Sequence, residues 1–520
     1  MATANINDLR IHNARNYLEA LHGPEGQYRG YMFLGRTTPW VVDNETQEEV
    51  PPTPTSSITD FYRTYQEMIS MVHIDQNDKF YMIRRVPWQT GVVYDTYRPD
   101  YSPSRLSYNG ARNVYDALFY VINSSNTVYV CLDNYRDSIS TVEPAADSDD
   151  PFRTSDGYLW IKLYTISNND MYEHSTDRYI PITTDDYSTA TDGAVYCVKI
   201  EVPGSGYTNN PSGIVNQIPF YYCNILGDGT GAVARVEIEN QEIVDISVVR
   251  NGTGYTYAVL DFTAFHVYQN ESDLDMARNG LDPLGDGNLR TTVIINPTGG
   301  WGHRDDPLAT EEENRHSAEF ELARELGGTR IGVFSTLDYN TADFAQNTLF
   351  RQIGIIQDPK FNSSAGTNPD TVTACFSIKF DGDNRNSDIN YAIGETITQI
   401  IERKPTGEPD KVAIGQVVGW NTEEQTDVLR YVQIPQLHAD PTDGNLYKFQ
   451  GEEDVVGMTS GKSERPYVEY NAPADEVVFV GGYADPEIVR YTGLITNVVN
   501  ISPIQRQPTQ SERISLIVAY

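Results

Sequence analysis

A five-residue phrase occurs twice in this chain, as Gly204-Ser205-Gly206-Tyr207-Thr208 and as Gly252-Thr253-Gly254-Tyr255-Thr256. Each copy follows a run of β-formers, 198–202 in the first case and 244–249 in the second. Glycine reaches φ > 0 without steric cost, so two glycines around one small polar residue encode a tight reversal between strands. The tyrosine is then placed to fold back over the sheet. Between the copies, 227–232 (GDGTGA) is a further glycine-rich turn. Residues 232–238 alternate apolar and polar side chains, as a half-buried strand does. The stretch 193–262 therefore reads as a small β-domain inserted in a loop.

The flanking chain keeps the β character. Strands are predicted at 31–34, 79–86, 114–122, 127–132, 156–166, 291–295, 331–334 and 350–356. A second β-rich stretch, 391–482, holds AIGETITQIIER, KVAIGQVVGW and EVVFVGGY, and polar residues 381–390 set it off. Residues 43–55, with Pro51, Pro52 and Pro54, and the acidic 143–151 read as loops. Three helices are predicted. The first, 7–22, places Ala14, Tyr17, Leu18 and Leu21 at helical spacing. The second, 58–74, starts at a capping-box-like Ser57 and Asp60 and buries Phe61, Tyr65, Met68 and Val72. The third, about 313–326, ends at Gly327-Gly328. At the C-terminus, Ile514, Leu516, Val518 and Tyr520 share one strand face, and Ser515, Ile517 and Ala519 the other. No charge follows Arg513, which predicts burial on both faces.

These elements predict a mainly β protein, α+β with few helices. Its β-sandwich-like core would comprise 1–192, 263–380 and 483–520, closed by the C-terminal strand. Two small β-domains, 193–262 and 381–482, would be inserted in it.

Composition narrows the function. The 35 tyrosines outnumber 17 phenylalanines and 5 tryptophans, which suits strands and interfaces more than long helices. The net charge of −35 opposes phosphate backbones, so no nucleic-acid partner is expected. No long apolar run predicts a membrane helix, and MATANINDLR lacks a signal-peptide pattern, so membrane insertion is not expected and synthesis in a cytoplasm is. Cys131, Cys197, Cys223 and Cys375 lie far apart, without zinc spacing, and are expected to be reduced and buried.

Four segments occur in a telling order: FLGRTTPW (33–40), DGYLWIKLYTI (156–166), FRQIGIIQDP (350–359) and GLITNVVNISPIQRQPTQSERISLIVAY (493–520). In these the chain resembles the baseplate wedge subunit of T-even-type contractile-tailed bacteriophages, the one present as a dimer in each wedge. The resemblance covers the three core segments, and the chain departs from shorter family members at 193–262 and 391–482. It implies a structural part in an assembly of six wedges around a hub, joined to neighbouring wedge proteins. It implies a homodimer, a place in the virion tail baseplate and assembly in the host cell cytoplasm. No catalytic residues come with it, and Trp40, Trp160 and Arg351 would be core or interface residues.

The chemistry-bearing candidates read as structure. Gly457-Met458-Thr459-Ser460-Gly461-Lys462-Ser463 suggests a phosphate-cradling loop, but its first glycine stands one residue too close to Gly461 and Pro466 breaks any following helix. A plain surface loop is expected. Asp381, Asp383, Asn386 and Asp388 offer oxygen ligands, yet Arg385 and Asn386 break the calcium-loop pattern, so 381–388 is expected to be a solvated linker. His303 and His316 flank Asp305, Asp306, Glu311, Glu312 and Glu313 without zinc spacing, and acids favour a helix start. No G-x-S-x-G elbow occurs. The sequence thus assigns no catalytic, cofactor-binding or metal residue, and no enzyme activity is expected. The alternative is a virion glycan-binding adhesin or depolymerase that uses the inserted β-domains.

Overall fold

The computed structural model describes residues 6–21, 29–148, 150–183, 191–208, 221–261, 285–297, 301, 311–337, 349–362, 369–381, 389–421, 427–474, 477–503 and 512–520. Among these residues the fold is mainly β, with 40% strand against 13% helix and several antiparallel sheets. Two compact units emerge. One comprises Met1–Arg15, Phe80–Gly332 and Ala519–Tyr520, the other Asn16–Lys79 and Val333–Val518.

In the first unit, a four-stranded sheet runs in the order Tyr120–Ile122, Thr127–Asp133, Leu159–Thr165, Phe152–Arg153. One face buries Tyr94, Val121, Tyr129, Cys131, Tyr158 and Trp160. The Tyr158 and Trp160 rings stack at 5.4 Å, which places the aromatic motif 156–166 in the core. The expected strand over 114–122 is shorter. Asn113 caps a 3-10 turn at Val114–Asp116 by accepting from the Asp116 N–H, and only Tyr120–Ile122 is extended.

The glycine-tyrosine module belongs to this unit. Glu242–Arg250, Val233–Glu239, Tyr221–Gly227 and Ala258–Leu260 form one sheet, and Val195–Val202 pairs with Arg290–Ile295. That pairing sets 290–295 beside the module's first strand. Val293 and Ile295 pack against the module's core, with Val195, Tyr207, Ala234 and Tyr255 in its buried centre. Gly204, Gly206, Gly252 and Gly254 all adopt positive φ. The two tyrosines close over two Gly-Asp-Gly turns in a crossed arrangement. Tyr255, from the second copy, covers Gly229 of the turn 227–229. Tyr207, from the first, covers Gly285 of the turn 285–287, and a β-carbon on either glycine would collide with the ring. The aspartates fasten the other side. Asp228 accepts from the Thr256 and Tyr257 N–H groups (2.8 and 3.1 Å). Asp286 accepts from the Ser205 hydroxyl at 2.8 Å. Ion pairs join the module to the rest of its unit: Arg98 to Glu201 (3.2 Å), Arg105 to Glu201 (2.5 Å) and Arg153 to Asp245 (3.1 Å).

The second unit holds a five-stranded antiparallel sheet in the order Thr371–Thr373, Met68–His73, Gly30–Gly35, Gln352–Gln357, Leu494–Asn500. Its core gathers Tyr31, Phe33, Tyr65, Met71, Ile356 and Ile495. The helix expected over 58–74 ends at Glu67, and Met68–His73 is a strand. Ser57 caps the helix as expected, by accepting from the Asp60 N–H, but Phe61 is exposed. Pairing of 68–73 with Gly30–Gly35 satisfies a row of backbone groups that a longer helix would leave to the sheet edge.

A seven-stranded sheet in the same unit runs Ser463–Glu464, Val455–Gly457, Thr396–Glu402, Lys411–Asn421, Val428–Val432, Phe376–Lys379, Tyr483–Ala484. It packs Ile378, Phe380, Ile397, Val417, Tyr431 and Phe449.

The C-terminal strand, Glu512–Ala519, lies beside Arg330–Leu337 at the end of its sheet's order. Ile514, Leu516 and Val518 are buried, while Ser515 and Ala519 are exposed and Ile517 is half-buried. The expected burial on both faces is corrected to burial on one. An apolar residue on the open face needs no covering layer.

Candidate functional site

Three of the four telling segments meet in the five-stranded sheet. Gly30–Gly35, Gln352–Gln357 and Leu494–Asn500 are consecutive neighbours there. At one end of these strands the chain leaves Gly35 through Arg36, which holds φ at 62°. A non-glycine residue in the left-handed region costs about 1 kcal/mol or more, so surrounding contacts must hold it. The Arg36 N–H donates to the Glu67 carbonyl at 2.8 Å. Its guanidinium donates through Nη1 to Glu67 Oε2 at 3.0 Å and lies 3.6 Å over the Trp40 ring.

Two carboxylates, Glu67 buried and Glu49 half-buried, organise the site. Glu67, at the end of the helix Ile58–Glu67, accepts from Arg36, from Arg63 Nε (2.9 Å) and from the Thr38 hydroxyl (3.2 Å). Glu49 receives both Arg351 Nε and Nη2 at 2.6 Å, a bidentate pair, and the Trp40 N–H at 2.9 Å. Hydrogen bonding from Arg351 holds the Glu49 carboxyl below its usual range. Burial lowers Arg36 from its ordinary value, with Glu67 acting against it. Arg351 Nη1 also donates to the Thr37 carbonyl at 2.7 Å, so one buried guanidinium fixes both ends of the loop 37–49. Each buried charge has its partner, which is the condition for tolerating it.

Beside this network lies a groove of about 820 Å³, lined by Arg36, Trp40, Val42, Phe61, Arg63 and Val498 among others. Its surroundings are apolar and open. Val41 is 83% exposed, and Val42, Val50, Phe61 and Tyr62 are exposed as well. Arg63 is 41% exposed at its side chain. Asp43 and Asp60 also line the groove, but both carboxylates are held by local turns. Asp43 accepts from the Glu45 and Thr46 N–H groups, and Asp60 from the Thr55 hydroxyl.

Of the positions named from sequence, Trp160 is a core residue and Arg351 a buried ion-pair residue, while Trp40 is half-buried at the groove. Arg36, Glu49 and Glu67 were not singled out. Their one sequence signal is the Gly-Arg step that leaves a strand three residues before Pro39.

The loop 457–463 is not a plain surface loop. Glu395 fills it. The carboxylate accepts from the Thr459 N–H (2.9 Å), the Ser460 N–H (2.8 Å), the Ser460 hydroxyl (2.7 Å) and the Ala392 N–H (2.7 Å). Gly457 is needed because a β-carbon there would meet Glu395 Oε1 and Ser460 Oγ. Lys462 is 2% exposed and pairs with Glu464 at 2.6 Å. The backbone does form an anion cradle, and the chain supplies its own anion.

Asp383, Asn386, Asp388, His303, Asp305 and Asp306 lie outside the described residues. His316, on the helix Glu311–Leu326, faces Glu319 at 3.5 Å. Among the described residues no group of three or more His, Cys, Asp or Glu is placed to hold a metal ion, and no helix is long and apolar enough to cross a membrane. All four cysteines are buried and none is in a disulfide. No protein-family model matches the chain, and no curated protein matches it.

Proposed function

We propose that the chain is a structural virion protein: a baseplate wedge subunit that pairs with a second copy and joins neighbouring wedge proteins in a contractile tail. It acts by assembly, without catalysis, in the tail baseplate, after synthesis in the host cytoplasm. The observation that supports the reading best is the convergence of the family-like segments. Three of them become adjacent strands of one sheet, and their polar residues become a joint in which Arg351 holds a loop 314 residues earlier in the chain. The same unit exposes Val41, Ile58, Tyr62 and Leu494, the kind of apolar and aromatic surface that interfaces bury.

Cross-linking mass spectrometry on intact virions tests this. Cross-links to other baseplate proteins are the expected result, and links to fibres alone would overturn it. Sedimentation of the purified chain should show a dimer at micromolar concentration, and a strict monomer would remove the dimer from the reading. Binding on a glycan array, or release of reducing sugar from a host envelope, would replace assembly with the adhesin or depolymerase reading.

A further inference from the structure

We propose that four arginines gathered at one end of a sheet, Arg84, Arg85, Arg178 and Arg330, form a docking site for an acidic segment of another protein. The strand Lys79–Arg84 lies between Arg330–Leu337 and Tyr179–Pro181. Arg84 stands opposite Tyr179 in the antiparallel register. The Arg330 guanidinium lies 4.9 Å over the Tyr179 ring. One residue further on, the Arg85 N–H donates to the Arg178 carbonyl at 2.8 Å. Burial pushes the Tyr120 hydroxyl up to about 12, and Arg84 and Arg330 both act against that rise, so the two charges stand near one phenol. Arg84 and Arg178 are exposed, and Arg85 and Arg330 are half-buried.

These four differ from their neighbours in having no counter-charge. In the same unit Arg98, Arg105, Arg153 and Arg324 are each paired with an acid. Among the described residues none of the four forms an ion pair. Arg84 gives one nitrogen, Nη2, to the Tyr115 carbonyl at 3.0 Å, and Arg330 makes only a long contact from Nη1 to the Thr329 hydroxyl at 3.5 Å. Two acids lie close by in sequence. Asp116 is tied into its own turn, where the Asn113 amide donates to it at 2.7 Å, and Asp177 is exposed and pairs with none of the four. The rim is therefore left positive, on a chain with 73 acidic and 38 basic residues. Like charges held together repel, and a partner that brings carboxylates relieves the repulsion. Each guanidinium can take a carboxylate through two nitrogens, and arginine clusters are a recurrent device for docking acidic motifs. The patch is confined to a few strand ends, which suits a short segment with several Asp or Glu residues. A nucleic-acid strand would run past it onto the acidic remainder of the surface, where the net charge of −35 opposes phosphate. This docking does not depend on the wedge reading.

Fluorescence anisotropy of labelled hexaglutamate, hexaglutamine and a short single-stranded oligodeoxynucleotide on the full chain tests it. Hexaglutamate should bind and hexaglutamine should not. The affinity for hexaglutamate should fall at least about tenfold on Arg178→Glu, whose exposed side chain can change without loss of fold, and likewise on the double variant Arg84→Gln, Arg330→Gln. Bound hexaglutamate should also slow phenylglyoxal labelling of Arg84 and Arg178, read by peptide mass spectrometry. Failure of hexaglutamate to bind, equal affinity for the chain and for Arg178→Glu, unchanged labelling of both arginines, or tighter binding of the oligonucleotide would overturn the proposal. None of these results bears on the virion cross-links.

Discussion

Replacing Tyr255 should loosen the glycine-tyrosine module by an amount the structure lets one work out. The ring is 3% exposed and packs on Gly229 and Gly252. Its hydroxyl accepts from the Ala232 N–H at 3.2 Å and donates to the Ile225 carbonyl at 3.0 Å. Tyr255→Phe keeps the ring and leaves a buried N–H without its acceptor, a cost of about 1–3 kcal/mol. Tyr255→Ala also removes the ring, and large-to-small changes at such sites cost about 3–5 kcal/mol. Gly229→Ala alone should cost about 1–3 kcal/mol, because its β-carbon would enter the space of the ring. Combined with Tyr255→Ala it should cost less than the sum, since the collision with the ring is gone and only that with the Thr253 carbonyl remains. Hydrogen exchange of amides in 221–260 reads these changes locally, with about tenfold faster exchange per 1.4 kcal/mol. A Tyr255→Ala shift of no more than about 0.5 kcal/mol, the range of surface substitutions, would show that the ring does not lock the turn. Full additivity of the two changes would show the same.

Three further outcomes follow from other sites. Glu395→Ala strands the Thr459, Ser460 and Ala392 N–H groups and should cost on the order of 3 kcal/mol in urea unfolding, yet added ATP should not restore it; rescue by ATP would revive the nucleotide reading. His438 accepts the Ile434 N–H at 2.9 Å, and burial pushes it from 6.5 down to about 4. Its folded value lies below the unfolded one, so its contribution, on the order of 3 kcal/mol, is complete above pH 6.5 and fades as pH falls toward 4. His438→Leu should flatten stability across that window, and an unchanged slope in stepped-pH unfolding would refute the assignment. In the C-terminal strand, Leu516→Ala should cost about 2–5 kcal/mol and Ser515→Asp no more than about 0.5; equal losses in thermal melting would restore burial on both faces.

The elements that local pattern can specify are legible in the sequence. The helix Ile6–Leu21 and the strands Gly30–Gly35, Thr127–Asp133 and Leu159–Thr165 stand close to where apolar periodicity puts them. The stretch 58–74 misleads because Phe61, Tyr65, Met68 and Val72 keep helical spacing through a change of structure. Strand pairing decides the second half, and periodicity does not register a partner some forty residues away. The groove was harder still. Arg36, Glu67 and Arg351 carry no shared spacing, and only the tertiary fold makes them neighbours. A second repeat was there to be read. Leu-Gly-Asp-Gly occurs at 226–229 and again at 284–287, and its interleaving with the two Gly-x-Gly-Tyr-Thr copies announces the crossed closure.

That closure has a topological consequence. The Asn296 N–H donates to the Ala194 carbonyl at 2.8 Å, so the chain leaves the module beside the point where it entered. The tyrosine of each half is locked by the turn of the other, and neither half is complete without its counterpart. Such a segment behaves as a cassette. It can be excised or transplanted through a single backbone junction, and it must travel whole.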